Sequence, residues 1–373
     1  MKRFLILLTT FLAIQVPASK ARIQTLGNSL HLADPQTIFQ TPIDLISLGN
    51  FVSLETGITG ATTLLDGAEA IISYGYKSNQ RVAVAIGHQD KSIADARILI
   101  NVLGGTTFEM PQNPVHIFYS LEDSLTSWAA GLSYSGKNDK VAQASEKSIG
   151  ASVGIELGNL QFGSLYIFAN SVDAPAGKKF EGSGYWQSTL SYLLENTTIE
   201  LVYTTSKAKM STLTGAITSD DEMHVKNVIS LGLADTDLRD RSDFFWGAKV
   251  VSTTLNCKIN LSVGCNKAFT QTVLPAWFGV ETPVADWLVF RGSVKQSFLV
   301  NTTKDDFGYP ASAVSGATGA TSDLASGPTD TVITSGLGLR FKDLTIDGSL
   351  ASSTTQILDL GNFLSQVGVT FRF

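Results

Sequence analysis

The last eight residues, Gln366-Val-Gly-Val-Thr-Phe-Arg-Phe373, alternate without a break. Val367, Val369, Phe371 and Phe373 share one face, and Gln366, Gly368, Thr370 and Arg372 share the other. A period of two is the pattern of a β-strand that meets two different environments. Taken alone this strand would suit a soluble sandwich, but its bare apolar edge would invite aggregation there. The same alternation recurs along the chain. It predicts strands over 51–57, 69–77, 81–89, 114–121, 126–136, 147–157, 160–171 and 182–194 in the first half. The second half adds 198–208, 224–234, 243–256, 271–282, 287–298, 331–341, 344–351 and 364–373. In one face of these strands Ile149, Ala151 and Val153 oppose Ser148, Gly150 and Ser152, and Leu288 and Phe290 oppose Val289 and Arg291. Leu165 and Ile167 spoil the alternation within 160–171.

The connections alternate as well. Short ones centre on Ser78–Gln80, Asp123-Ser124, Gly158-Asn159, Glu195-Asn196, Asp235–Ser242, Pro283–Asp286 and Lys342-Asp343. Long ones fall at 58–68, 90–113, 137–146, 172–181, 209–223, 257–270, 299–330 and 352–363. Short turns at one end and long loops at the other describe an up-and-down barrel in an outer membrane. The expected fold is therefore all-β, a transmembrane antiparallel barrel of about sixteen strands, with fourteen or eighteen as alternatives. An even number leaves both ends of the barrel on the periplasmic side.

Composition changes the picture in two places. Charged residues are 16%, and glycine is 33 of 373, against typical values of about 25% and about 7%. Small polar groups on one face and isolated charges of both signs require water, which predicts a wet lumen rather than a packed core. Met1-Lys-Arg3, the apolar run Phe4–Val16 and Pro17–Ala21 form a basic, apolar and small-residue series. This is a secretory leader, expected to occupy residues 1–21 with cleavage after Ala21 or after Ala18. Losing Lys2, Arg3 and Lys20 with no acid takes the net charge from −6 to −9, which argues against a nucleic-acid partner. Residues 22–50 are not strand-like. Asp34-Pro35 and Thr41-Pro42 each offer a cap followed by proline, so short helical turns are expected in a periplasmic segment or partial plug. The barrel proper is expected over 51–373.

The terminal stretch resembles the C-terminal assembly signal of Gram-negative outer-membrane proteins: polar residue, Gly two on, and aromatic-any-aromatic at the end. The resemblance implies an outer-membrane location, contact with its lipid, and a role for Gln366, Gly368, Phe371 and Phe373 in recognition by the barrel-assembly machinery. Length and strand number are similar to those of general diffusion porins, which implies a passive pore for small hydrophilic solutes that can form homo-oligomers. The third long loop, 137–146, is shorter than the constriction loop of those porins, so the loops 90–113, with an inward helix over 92–103, and 299–330 are the better constriction candidates. A fainter likeness links Leu26-Gly27, Asp34 and Phe39-Gln-Thr-Pro42 to the leader of outer-membrane long-chain fatty-acid transporters, which forms a hatch. Those leaders carry Asn-Pro-Ala where this chain has Thr41-Pro42-Ile43. A hatch-gated transporter of hydrophobic or specific ligands and a non-conducting structural or adhesive barrel are the alternatives.

Arg291, Lys295, Lys249, Arg340, Glu156, Glu200, Glu281 and Asp347 fall on the inferred lumen face. Rings of such charges set ion selectivity, or simply solvate the lumen in pairs. Cys257 and Cys265 lie eight residues apart in a long loop and suit a local disulfide in an oxidising compartment. Catalysis and cofactors are not expected. His88 and His116 flank one loop, but no nucleophile motif accompanies them. The acids Asp220–Glu222 and Asp235, Asp237, Asp240 and Asp243 offer oxygens, yet Arg239 and Arg241 sit among the second group and favour a solvated turn over a Ca²⁺ site.

Overall fold

In the computed structural model the described residues are 19–26, 34–57, 68–89, 113–123, 125–139, 144–174, 178–182, 184–214, 217–238, 242–258, 266–305, 331–353 and 366–373. They form one antiparallel sheet of seventeen segments: β1 (Phe51–Gly57), β2 (Glu69–Lys77), β3 (Gln80–Ile86), β4 (Val115–Leu121), β5 (Ser127–Asp139), β6 (Ala144–Leu157), β7 (Leu160–Ala174), β8 (Lys178–Gly182) and β9 (Tyr185–Leu194). The remainder are β10 (Thr197–Thr214), β11 (Ile217–Leu238), β12 (Asp243–Lys258), β13 (Asn266–Ala285), β14 (Leu288–Asp305), β15 (Thr331–Phe341), β16 (Leu344–Ser353) and β17 (Gln366–Arg372). Both β8 and β9 pair with β7 on one side and β10 on the other, so together they make one stave. The barrel thus has sixteen staves. It closes where β17 meets β1, with Phe51 opposite Arg372 and Gly57 opposite Gln366. Closure leaves no free edge, which is the condition for a sheet to stand in lipid.

The outer face is apolar. Leu54, Leu132, Leu231, Phe278 and Ile333 are each more than half exposed. Exposed aromatics gather beside the short turns: Tyr76, Trp128, Tyr192, Phe290, Phe341 and Phe371. Such a belt sits where rings meet both hydrocarbon and headgroups. An apolar band, an aromatic girdle and a closed even-numbered meander together make this an outer-membrane β-barrel.

Sixteen expected strands match the sixteen staves in order, and most differences lie at the long-loop ends. Residues 209–223, expected as a loop, continue the β10–β11 hairpin, with Lys209 opposite Glu222 and Thr214 opposite Ile217. This extension lacks alternation because strands that run beyond the membrane need no apolar face. Asp220–Glu222 accordingly lie in β11. The 172–181 connection contains β8 for the same reason. The broken alternation in β7 has a different cause. A register shift falls between Ile149 and Gly150 on β6, so Phe168 has no partner there. Leu165 and Ile167 are buried inward, with Tyr185 against them, and beyond the bulge Asn170 and Val172 point in. The inward helix expected at 92–103 and residues 306–330 of the 299–330 loop lie outside the described residues.

The N-terminal segment enters the barrel. Helix α1 (Lys20–Thr25) lies against β14–β17. Farther on, a 3₁₀ turn at Thr37–Phe39 and another at Pro42–Asp44 lead into α2 (Leu45–Leu48). Short turns follow both prolines, but the expected caps differ: Asp34 Oδ1 accepts from Gln36 N at 2.8 Å while Gln36 holds the N-cap position of the first turn, and Pro42 opens the second turn without a side-chain cap from Thr41. The inner wall beneath this part is not uniformly polar. Ile38, Phe39, Leu45 and Leu48 form one buried cluster with Phe51, Ile71, Ala83, Ala85 and Phe118.

Candidate functional site: an N-terminal segment seated on the lumen wall

The first seat is a charge cluster on β13–β16. Glu281 and Arg291 are direct cross-strand partners on the inward face, so strand register alone brings them together. Arg291 Nε donates to Glu281 Oε2 at 2.8 Å, and its Nη1 reaches Asp347 Oδ1 at 2.5 Å. Asp347 lies two strands away, and neighbouring strands are about 4.8 Å apart. The guanidinium must therefore lie flat on the wall, and Gly338 on the intervening β15 permits this. A Cβ at Gly338 would stand 2.6 Å from Arg291 Nη1. Arg340 Nη2 adds a third contact, to Glu281 Oε1 at 2.5 Å.

Helix α1 completes the cluster from the lumen side. Arg22 Nε donates to Glu281 Oε2 at 2.7 Å, and Ser19 Oγ donates to Asp347 Oδ2 at 3.2 Å. Thr334 Oγ1 donates to the Thr25 carbonyl at 3.0 Å, and Ser349 Oγ to Gln24 Oε1 at 2.8 Å. Leu26 is buried against Phe245. The wall carries glycines where the helix touches it. A Cβ on Gly368 would be 2.1 Å from Ser19 Cβ, and one on Gly336 would be 2.4 Å from Thr25 Cγ2. Gly154 meets Ile43 in the same way at 2.8 Å, and Gly163 meets the Gln40 carbonyl at 3.2 Å. Small inward residues, read from sequence as room for water, are at these positions room for the segment.

The second seat is a pair of acids. Glu55 on β1 and Glu69 on β2 are directly opposed and both buried. Like charges so placed destabilise a strand pair. The N-terminal segment supplies what the wall lacks. Lys20 N donates to Glu55 Oε2 at 2.9 Å, and Lys20 Nζ donates to Glu69 Oε2 at 2.5 Å. Gln36 Nε2 bridges the two, at 3.1 Å from Glu55 Oε1 and 2.6 Å from Glu69 Oε1. His88 Nδ1 lies 2.8 Å from Glu69 Oε2.

The third seat is aromatic. Phe39 stacks on His88 with centroids 3.3 Å apart, and meets His116 and Phe118 edge-on at 5.0 and 5.6 Å. His88 and His116 do approach each other, at 5.4 Å between ring centroids. Nearby, Thr37 Oγ1 donates to Asp44 Oδ2 at 2.5 Å. Burial pushes the Asp44 carboxyl up to about 6 despite that bond, and Glu156 and Glu200 add to the effect. Burial raises Asp34 well above the usual carboxylate range, against the opposing bond from Gln36 N.

Of the residues singled out from sequence, Glu281, Arg291, Arg340 and Asp347 come together. Glu156 accepts from Gln161 Nε2 at 2.7 Å, outside that cluster. Glu200, Lys249 and Lys295 point inward on β10, β12 and β14, next to the outward-facing Leu201, Val250 and Val294. Gln366 and Gly368 face in, while Phe371 and Phe373 face out with centroids 6.4 Å apart. The Cys257 side chain and all of Cys265 lie outside the described residues, as does Asp240. The sequence reading missed Lys20, Arg22, Gln36, Glu55 and Glu69. The available signal was that Glu55 and Glu69 fall on inward parity in adjacent strands, but the long 58–68 connection hides their register.

No protein-family model matches the chain, and the comparison with curated proteins finds no match. Among solved structures the chain is similar to a bacterial polysaccharide outer membrane secretin, at 12% identity and TM-score 0.47, over 87% of this chain and 97% of that one. It is also similar to the Pseudomonas putida toluene transporter TodX, at 12% identity and TM-score 0.35, over 90% and 93% of the two chains. OmpT, an outer membrane protein of Vibrio cholerae, follows at 13% identity and TM-score 0.36, over 69% and 91%. These likenesses are of barrel architecture only.

Proposed function

We propose that this outer-membrane barrel is a gated channel for small hydrophilic solutes, and that residues 19–50 are its gate. The observation that carries this reading is the seating of the N-terminal segment in the lumen through three separate sets of wall residues. A permanently open porin has no use for such seats. Inward-facing Ser, Thr, Gln and charged side chains elsewhere on the wall suit solutes that keep their hydration. Transport needs no cofactor: the solute moves down its gradient once the segment leaves.

The reading is tested in planar bilayers with a variant in which the leader is joined directly to Phe51. Larger stepwise conductance than in the full chain supports the gate. Equal conductance returns the protein to a plain porin with an incidental N-terminal segment, and no conductance in either form sinks the channel itself.

A further inference from the structure

Two leader cuts end on alanine: after Ala18, with Val16 two before it, and after Ala21, with the smaller Ser19 two before it, so the small-residue rule alone favours the second. The two cuts differ by Ser19, Lys20 and Ala21, and these three residues have specific places in the barrel. Ser19 is fully buried, and Ala21 is 1% exposed. The Ser19 side chain caps α1 by accepting from Arg22 N at 3.4 Å while donating to Asp347 at 3.2 Å. Lys20 holds Glu55 with its backbone N–H and Glu69 with its ammonium. Gly368, with no side chain, is shaped to Ser19. A cut after Ala21 would remove the cap and leave two opposed, buried carboxylates with no lysine between them.

We propose that the leader is removed between Ala18 and Ser19, making Ser19 the first residue of the mature chain and its new ammonium group an anchor of the gate. Hydrolysis of the Ala18–Ser19 peptide bond consumes one water and leaves the Ala18 carboxylate on the leader and the Ser19 ammonium on the protein. It takes place on the exported, unfolded chain, before Ser19 is buried. An ammonium at the start of a helix opposes the helix dipole. Here Asp347 lies against Ser19 on one side and Glu55 against the next peptide N–H on the other, and both offset it.

The cut is a matter of processing and stands apart from gating; only the anchoring role rests on the gated-channel reading. N-terminal sequencing and intact mass of the protein purified from outer membranes should show Ser19 first. A chain beginning at Arg22, or at any residue other than Ser19, overturns the proposed cut. A variant with residues 1–18 joined directly to Arg22 should then open about tenfold more often in planar bilayers than the native chain. If the native chain begins at Ser19 and this variant gates normally, the cut stands and the anchoring role is refuted.

Discussion

Replacing Arg22 with glutamine should open the channel without weakening the barrel. Arg22 lies outside the staves, and its guanidinium meets Glu281 at 2.7 Å with the two side chains only 11% and 5% exposed. A hydrogen bond to a charged group in such a place contributes roughly 1.5–3 kcal/mol. Orphaning a buried charge would cost about 3–5 kcal/mol, but Glu281 keeps Arg291 and Arg340, so that larger penalty does not arise. Taking about 2 kcal/mol for the lost contact shifts the seated-to-released ratio roughly thirtyfold. The assay is the open fraction in single-channel records, alongside the heat at which the folded band disappears on gels. A raised open fraction with unchanged heat resistance is expected. If the open fraction stays at the native value, Arg22 does not hold the gate.

Gly368→Ala should act in the same direction, because the three atoms nearest the new methyl all belong to Ser19; a folded yield equal to native separates gating from assembly. Phe39→Ala removes the ring stacked on His88 and should loosen the segment by about 3 kcal/mol, read as faster tryptic cleavage at Lys20 and Arg22. Arg291→Lys cannot bridge Glu281 and Asp347 with one ammonium, so the barrel should lose about 2–4 kcal/mol, seen as a lower urea midpoint. Asp44 binds its proton more tightly when seated, near 6, than when released, near 4. Seating is therefore weakest above pH 6 and strengthens as pH falls from 6 toward 4. Going from pH 7 to pH 5 should favour closure by at most about 1 kcal/mol, after allowance for solvent screening. Conductance should fall over that range in the native chain and fall less in Asp44→Asn.

The barrel was legible because lipid imposes a simple rule on every stave: one face apolar, the other not. That rule located the staves and the turn-side boundaries, and it grouped Arg291, Arg340, Glu281 and Asp347 on one face. Outside the membrane the rule lapses, and the β10–β11 extension through Lys209–Glu222 read as a loop. Which inward charges meet depends on register between strands, as with Glu281 opposite Arg291, and on reach across a glycine, as from Arg291 over Gly338 to Asp347. Neither is visible along one strand. The N-terminal seats were least legible. Helix α1 is six residues long, too short to announce itself by periodicity. Its position is set by wall residues far off in the chain, as in the Ser19–Asp347 bond across 328 positions.

Tethering tests the gate most directly. Gln24 and Ser349, hydrogen-bonded at 2.8 Å across 325 residues, can be changed to cysteines and joined by a short cross-linker that reductant cleaves. The unsubstituted chain, treated identically, controls for Cys257 and Cys265. With the tether intact, single-channel records should show a closed barrel, and added reductant should restore native openings. Openings of equal size and frequency before and after reduction would contradict a gate formed by the N-terminal segment.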